Sequence, residues 1–107
     1  MTPDEQCARV LGWTYYEAQG RKPRRWYGPK SSVVHSEPPA YGSDETLLGE
    51  MLRWFINNSL GFAMECDDDH SYFRAYGTQR DWVSSGDITM CEAVRDALIQ
   101  ASGEVAP

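Results

Sequence analysis

Residues 43–77 read SDETLLGEMLRWFINNSLGFAMECDDDHSYFRAYG, an amphipathic helix running straight into a β-hairpin. Ser43 is suited to cap the helix, its hydroxyl accepting from a backbone N–H one turn ahead, and Asp44 and Glu45 place negative charge against the positive end of the helix dipole. Leu47, Leu48, Met51, Leu52, Phe55 and Ile56 recur at the spacing of one wide helical face. Glu50 and Arg53 fall outside that stripe, three residues apart, where they can pair. Gly49 costs about 1 kcal/mol against Ala inside a helix, so it is expected where another backbone comes close. Asn57, Asn58 and Ser59 fray the helix end, and Gly61 is placed for a sharp reversal. Leu60, Phe62, Met64 and Cys66 then alternate with Gly61, Ala63 and Glu65, the period of a strand. Asp67 to Ser71 form a polar turn, and Tyr72 to Tyr76 return as an aromatic-rich strand.

Working outward, a lone hairpin is marginal in water, so the rest of the chain must add sheet. Thr2-Pro3-Asp4-Glu5 is a compact helix start, with threonine and glutamate at capping-box spacing and proline at the first helical position. Cys7, Val10 and Leu11 give this first helix a short apolar stripe, and Gly12 ends it. Trp13 to Glu17 and Arg24 to Tyr27 read as a second hairpin joined through Gln19-Gly20-Arg21-Lys22-Pro23. Residues 28–43, with Pro29, Pro38, Pro39 and several serines, form a long irregular connection in which Val33, Val34 and Tyr41 are anchors. After a turn at Gly77 to Arg80, Asp81 to Ser84 make a brief strand around Trp82 and Val83. Thr89 and Glu92 repeat the capping-box spacing before a last helix whose Met90, Val94, Ala97, Leu98 and Ala101 face inward. Gly103 is expected to close it, leaving 103–107 as a loose tail. The order α-β-β-α-β-β-(β)-α predicts an α+β protein. Its expected form is an α/β/α sandwich: one antiparallel sheet of four to five strands, covered by three helices, in a single domain spanning 1–107.

Composition is that of a water-soluble globule, 41% hydrophobic and 24% charged. No run approaches the roughly 20 apolar residues of a membrane span. The start Met1-Thr2-Pro3-Asp4-Glu5 lacks the basic-then-apolar pattern of a signal peptide. Three widely spaced cysteines, at 7, 66 and 91, argue for a reducing compartment such as the cytoplasm. Net charge is −6, the wrong sign for a protein that coats nucleic acid. The charge is unevenly spread. Positions 21–30 hold Arg21, Lys22, Arg24, Arg25 and Lys30 without an acid, while the rest carries five basic and sixteen acidic residues.

Several short runs bear a likeness in common. They are Leu11-Gly12-Trp13 after the first helix, the Trp-containing hairpin, Pro38-Pro39-Ala40-Tyr41-Gly42-Ser43-Asp44 leading into the central helix, the hairpin ending Tyr72-Phe73-Arg74-Ala75-Tyr76-Gly77, and the Ala-rich closing helix. Together they resemble the small phage ABA-sandwich domain family of bacteriophage and prophage proteins. The resemblance covers most of the chain and departs at Asp87-Ile88-Thr89, where that family keeps a proline more regularly. It implies a phage or prophage origin and an αβα fold, and it brings no catalytic residues.

Two regions hold chemistry-bearing side chains. Cys66-Asp67-Asp68-Asp69-His70 gathers carboxylates, an imidazole and a thiol, and Asp67, Asp69 and His70 are the residues from which a cation site would be built. Side chains at a hairpin tip diverge, and the glycine and distal glutamate of a calcium loop are missing, so a solvated turn is the expectation. Cys66 with His70 as nucleophile and base lacks a third group to orient the imidazole. The second region is Arg21, Lys22, Arg24, Arg25, Trp26 and Tyr27, the cation-and-aromatic mixture found on phosphates and stacked bases and equally at protein interfaces. Trp54, on the flank of the central helix, is added to this partner-binding set. Neither a catalytic centre nor a cofactor site is expected. The function expected is that of a non-catalytic phage accessory protein acting by protein–protein binding in the cytoplasm of the bacterial host. One such role is inhibition of a nuclease-based defence such as CRISPR, where an acidic body competes with a polyanion. The alternatives are a nucleic-acid-contacting module built on the Arg21–Tyr27 loop and a structural or oligomeric phage protein, with homodimerisation through a sheet edge compatible with each.

Overall fold

Both capping boxes form. In a computed structural model, which describes residues 2–29 and 34–105, the Thr2 hydroxyl accepts from Glu5 N at 3.2 Å while Thr2 N donates to the Glu5 carboxylate at 3.4 Å. This starts α1, Pro3–Val10. Thr89 and Glu92 repeat the exchange at 3.1 and 3.2 Å at the head of α3, Met90–Val105. Between them lie β1 (Thr14–Tyr16), β2 (Arg25–Tyr27), β3 (Val34–His35), a 3-10 turn (Glu45–Leu47), α2 (Leu48–Asn57), β4 (Gly61–Asp67), β5 (His70–Tyr76) and β6 (Asp81–Gly86). The coarse α+β class is as expected.

The single sheet of four to five strands is not formed. The strands make two antiparallel sheets of three, β1-β2-β3 and β4-β5-β6. The irregular connection supplies the difference: Val34 and His35 pair with Tyr27 and Trp26, taking the free edge of β2. On the other side β6 pairs with β5 from Ser71–Gly86 to Tyr76–Asp81, completing the second sheet from local hairpins alone. Val33 and Lys30 lie outside the described residues.

Helices on opposite faces of one sheet are not found either. Phe73, Ala75, Trp82 and Ser84 are buried on one face of β4-β5-β6, and α2 and α3 pack on that face, with α1 resting on α3. Phe55 of α2 lies 5.1 Å, ring to ring, from Phe73, which stacks on Phe62 at 5.7 Å. The opposite face needs no cover because it is dressed with its own polar groups. Arg74 donates to the Asp81 carboxylate and lies over the Tyr76 ring at 5.0 Å. Ala93, Ala97 and Ala101 are buried along α3, and their small side chains let it sit close to several neighbours at once. The result is an α/β sandwich-like arrangement only 21 Å across its thinnest direction, room for a sheet and one layer of helices.

Local corrections have local causes. Asp44, not Ser43, caps the 3-10 turn, its carboxylate accepting from Thr46 N at 3.0 Å, and the α-helix proper begins at Leu48. Gly49 has no neighbour within 4 Å of where a Cβ would stand, so no backbone approaches it. Glu50 accepts from the Tyr41 hydroxyl at 3.3 Å instead of pairing with Arg53. Ser59, not Gly61, makes the reversal: at φ 59° it closes a Schellman motif, with Leu60 N donating to Phe55 O at 2.9 Å and Ser59 N to Ile56 O at 3.0 Å. Gly103 lies inside α3, which runs on to Val105; residues 106–107 of the expected tail lie outside the described residues.

One close contact ties α1 to α3. Asp4 of α1 accepts from Arg95 of α3 at 3.1 Å and from the backbone N–H of Gly42 at 2.9 Å, and Arg95 also donates to Asp96 at 3.0 Å. A Cβ on Gly42 would overlap the Arg95 guanidinium, so a side chain here would displace that arginine from its contacts.

Candidate partner-binding surface

In the β1-β2-β3 sheet the side chains separate cleanly by face. The pairs Thr14–Tyr27, Tyr15–Trp26 and Tyr16–Arg25, with Trp26–His35 and Tyr27–Val34, put Tyr15, Trp26 and His35 on one side. They put Thr14, Tyr16, Arg25, Tyr27 and Val34 on the other. The inner row is aromatic and packs: Tyr15 lies 4.9 Å from Trp26, and the neighbouring Trp13 meets His35 edge-on at 5.5 Å. Trp26 is only 1% exposed. It belongs to the core, so it leaves the set of partner-binding residues, because strand alternation turns it away from Arg25 and Tyr27.

On the outer face three side chains hold one another. The Arg25 guanidinium lies 5.1 Å from the centre of the Tyr16 ring and donates from Nε to the Tyr27 hydroxyl at 3.3 Å. Tyr16 and Tyr27 meet edge-to-face at 5.3 Å. A third contact, Arg25 Nη1 to the carbonyl of Pro23 at 3.4 Å, fixes the stem of the loop. Tyr16 was not singled out in the sequence; the alternation Thr14-Tyr15-Tyr16 carried the signal, since Tyr15 inward requires Tyr16 outward.

The loop joining β1 to β2 narrows to a two-residue tip. Gln19 and Lys22 exchange backbone hydrogen bonds of 3.0 and 2.9 Å around Gly20 and Arg21. Gly20 sits at φ +58° with open space around it, so glycine serves the backbone there and not the packing. Arg21 and Lys22 are exposed and make no ion pair among the described residues. Arg24 differs: it pairs with Glu37, which holds its guanidinium above the usual range and spends its charge within the chain. A shallow depression of about 370 Å³ runs between Lys22, Arg25, Tyr27 and the segment Val34–Ser36. The surface is thus a mutually contacting Tyr–Arg–Tyr cluster, with the exposed cations Arg21 and Lys22 in the adjoining loop, on an otherwise acidic molecule.

Trp54 is not part of it. Half-buried, it lines a groove of about 600 Å³ with Trp13, Leu11, Pro29, Glu50 and Arg53. The acidic hairpin also stands apart. Asp67 and His70 face each other as the last pair of β4 and β5, so Asp68 and Asp69 alone form the turn. His70 Nδ1 lies 3.7 Å from the Asp87 carboxylate, away from Asp69, and among the described residues no three His, Cys, Asp or Glu side chains are grouped to hold a metal ion. The Cys66 thiol contacts the Asp67 carbonyl at 3.4 Å and Ser71 Oγ at 3.8 Å. Cys7 and Cys91 are buried; burial, reinforced by Asp4, pushes the Cys7 thiol up from 9.0 to about 12, which keeps it protonated and inert. Comparison with protein-family models, with curated proteins and with solved structures returns no match for this chain.

Proposed function

We propose that this chain is a non-catalytic binding protein that engages another protein through the outer face of the β1-β2-β3 sheet. The observation that carries the reading is the Tyr16–Arg25–Tyr27 cluster, whose side chains are ordered by contacts within the chain before any partner arrives. Tyr and Arg concentrate binding energy at interfaces, and ordering them in advance lowers the entropy lost on association. Arg21 and Lys22 beside the cluster favour an acidic segment on the partner. Within the resemblance to phage proteins, that partner is a protein or protein complex of the bacterial host, and inhibition of a nuclease-based defence is the corresponding role.

A second reading uses the same residues on a polyanion. The free cations at the loop tip, next to exposed Tyr16, suit phosphate and a stacked base, although the acidic body opposes close approach. Capture from bacterial lysate with tagged protein, with and without nuclease, separates the two. A discrete protein that survives nuclease and is lost with Arg25→Ala supports protein binding; truncation of a central arginine is expected to weaken binding at least about tenfold. Recovery that disappears on nuclease treatment overturns it in favour of nucleic acid.

A further inference from the structure

From the free edge of β4 we infer that the chain forms a two-fold dimer, in which β4 pairs antiparallel with β4 of a second copy around Met64. This inference rests on the other sheet and is independent of the surface proposed above.

The hydrogen-bond parity of β4 sets the geometry. Asp67 and His70 close a two-residue turn, and such a closing pair exchanges both of its backbone hydrogen bonds. Alternation then makes Glu65–Tyr72, Ala63–Arg74 and Gly61–Tyr76 hydrogen-bonded pairs as well. The N–H and C=O groups of Phe62, Met64 and Cys66 therefore point away from β5, out of the sheet edge that β4 forms.

Sheet edges are commonly protected by proline, lysine, a bulge or brevity, and β4 has none of these. It is seven residues long, it contains no Pro, Lys or Arg, and its ladder with β5 runs unbroken. The remaining edges are shorter: β1 has three residues, β3 has two and β6 has six. The side chains of the outward-bonding residues lie on the core side of the sheet, in register with Phe73, yet they emerge toward the edge. Phe62 is half-buried, Met64 is 42% exposed, and Cys66 is exposed.

A second copy fits this edge in one register best. Both apolar rows must lie on the same side, which restricts antiparallel registers to steps of two residues. Centred on Met64, Phe62 faces Cys66 of the second copy, Met64 faces Met64, Ala63 faces Glu65 and Gly61 faces Asp67. All three outward-bonding residues of each copy are then paired, and no two acids are opposed. A shift toward the turn sets Glu65 against Glu65, and a shift the other way leaves the Cys66 groups unpaired. Because each copy carries −6 overall, added salt strengthens this association by screening the repulsion between copies.

The test is sedimentation of the full chain from micromolar to millimolar concentration, with residue-resolved amide exchange at both ends of the range. Expected are a monomer–dimer equilibrium that tightens with salt and exchange protection gained at the Phe62, Met64 and Cys66 amides on dimerisation. Met64→Lys, which sets two cations face to face, should weaken the dimer roughly tenfold or more, while Val83→Lys on β6 should leave it unchanged. A monomer throughout, or a dimer that gains no protection at those three amides, overturns the inference. The exchange measurement uses the native sequence, so it decides the matter even if Met64→Lys folds poorly.

Discussion

Replacing Gly42 by alanine is expected to destabilise the protein as much as deleting the arginine across from it. The backbone at Gly42 is not left-handed, so alanine is tolerated there by φ, and the cost is one of space. The new methyl overlaps the Arg95 guanidinium, with Cζ only 2.9 Å away, and Asp4 Oδ1 stands at 3.2 Å. Arg95 can relieve the overlap by swinging out, and doing so abandons its hydrogen bonds to Asp4 and Asp96. Its side chain is 14% exposed, so these contacts are shielded from water more than ordinary surface pairs. Hydrogen bonds to charged groups contribute about 1.5–3 kcal/mol each, and two of them, less what the released guanidinium recovers in water, leave a loss of about 2–3 kcal/mol. For a chain of this size that lowers the thermal midpoint by roughly 10 °C. Urea unfolding of Gly42→Ala, Arg95→Ala and the double variant checks the reasoning. Since both single changes remove the same interaction, the double variant should lose about as much as Arg95→Ala alone. Additive losses would refute the argument, because they would mean that the methyl disturbs something other than Arg95.

Ser59→Gly should raise stability by about 0.5–1 kcal/mol, read by urea unfolding, since glycine meets the left-handed φ of 59° without the Cβ penalty that serine carries. Gly49→Ala should also stabilise, by up to about 1 kcal/mol, because no atom stands where the methyl would go. Gly20→Ala should cost roughly 1 kcal/mol through the strained tip turn and should weaken partner capture along with it. The contribution of Cys7 to stability should be level below pH 9 and fall from there toward pH 12. The folded state holds the Cys7 thiol at about 12 against an ordinary 9.0, so only the unfolded chain gains by losing the proton over that range. Tyr41 is pushed up by burial and by Glu50, in the same direction. Urea midpoints from pH 8 to 11 for native protein and Cys7→Ala should diverge in slope; parallel slopes would exclude Cys7 as a source.

What the sequence made legible was local. Thr2 with Glu5 and Thr89 with Glu92 are three residues apart, so their exchange needs nothing from the rest of the fold. The β4–β5 hairpin was visible for the same reason, its alternation and polar turn being continuous in the chain. The division into two sheets was not, because it hangs on Val34 and His35, a strand too short to show a period and set among serines and prolines. Nor did the sequence reveal that every helix lies to one side of β4-β5-β6. Arg74, Asp81 and Tyr76 satisfy one another across neighbouring strands, and that contact makes a second helical layer unnecessary. At the proposed surface, sequence proximity did not foretell which side chains share a face. Trp26 stood beside Arg25 and Tyr27 in sequence and faces the core, while Tyr16, distant in sequence, completes the cluster. Arg24 looked like one more free cation until the fold brought Glu37 to it.

The contact between Asp4 and Arg95 spans 91 residues, and it bears on the order in which the protein can be made. Buried faces of α1, with Cys7 and Ala8, and of the segment at Tyr41 and Gly42 are covered in part by α3. During synthesis, at about 5–20 residues per second, the first helix leaves the ribosome several seconds before the helix that will cover it. Until α3 emerges, the nascent chain carries that apolar surface unpaired. Emergence of α3 is therefore expected to be the step that completes this packing. A ribosome stalled before that point should hold a chain that proteases cut freely, and emergence of α3 should make the same chain resistant.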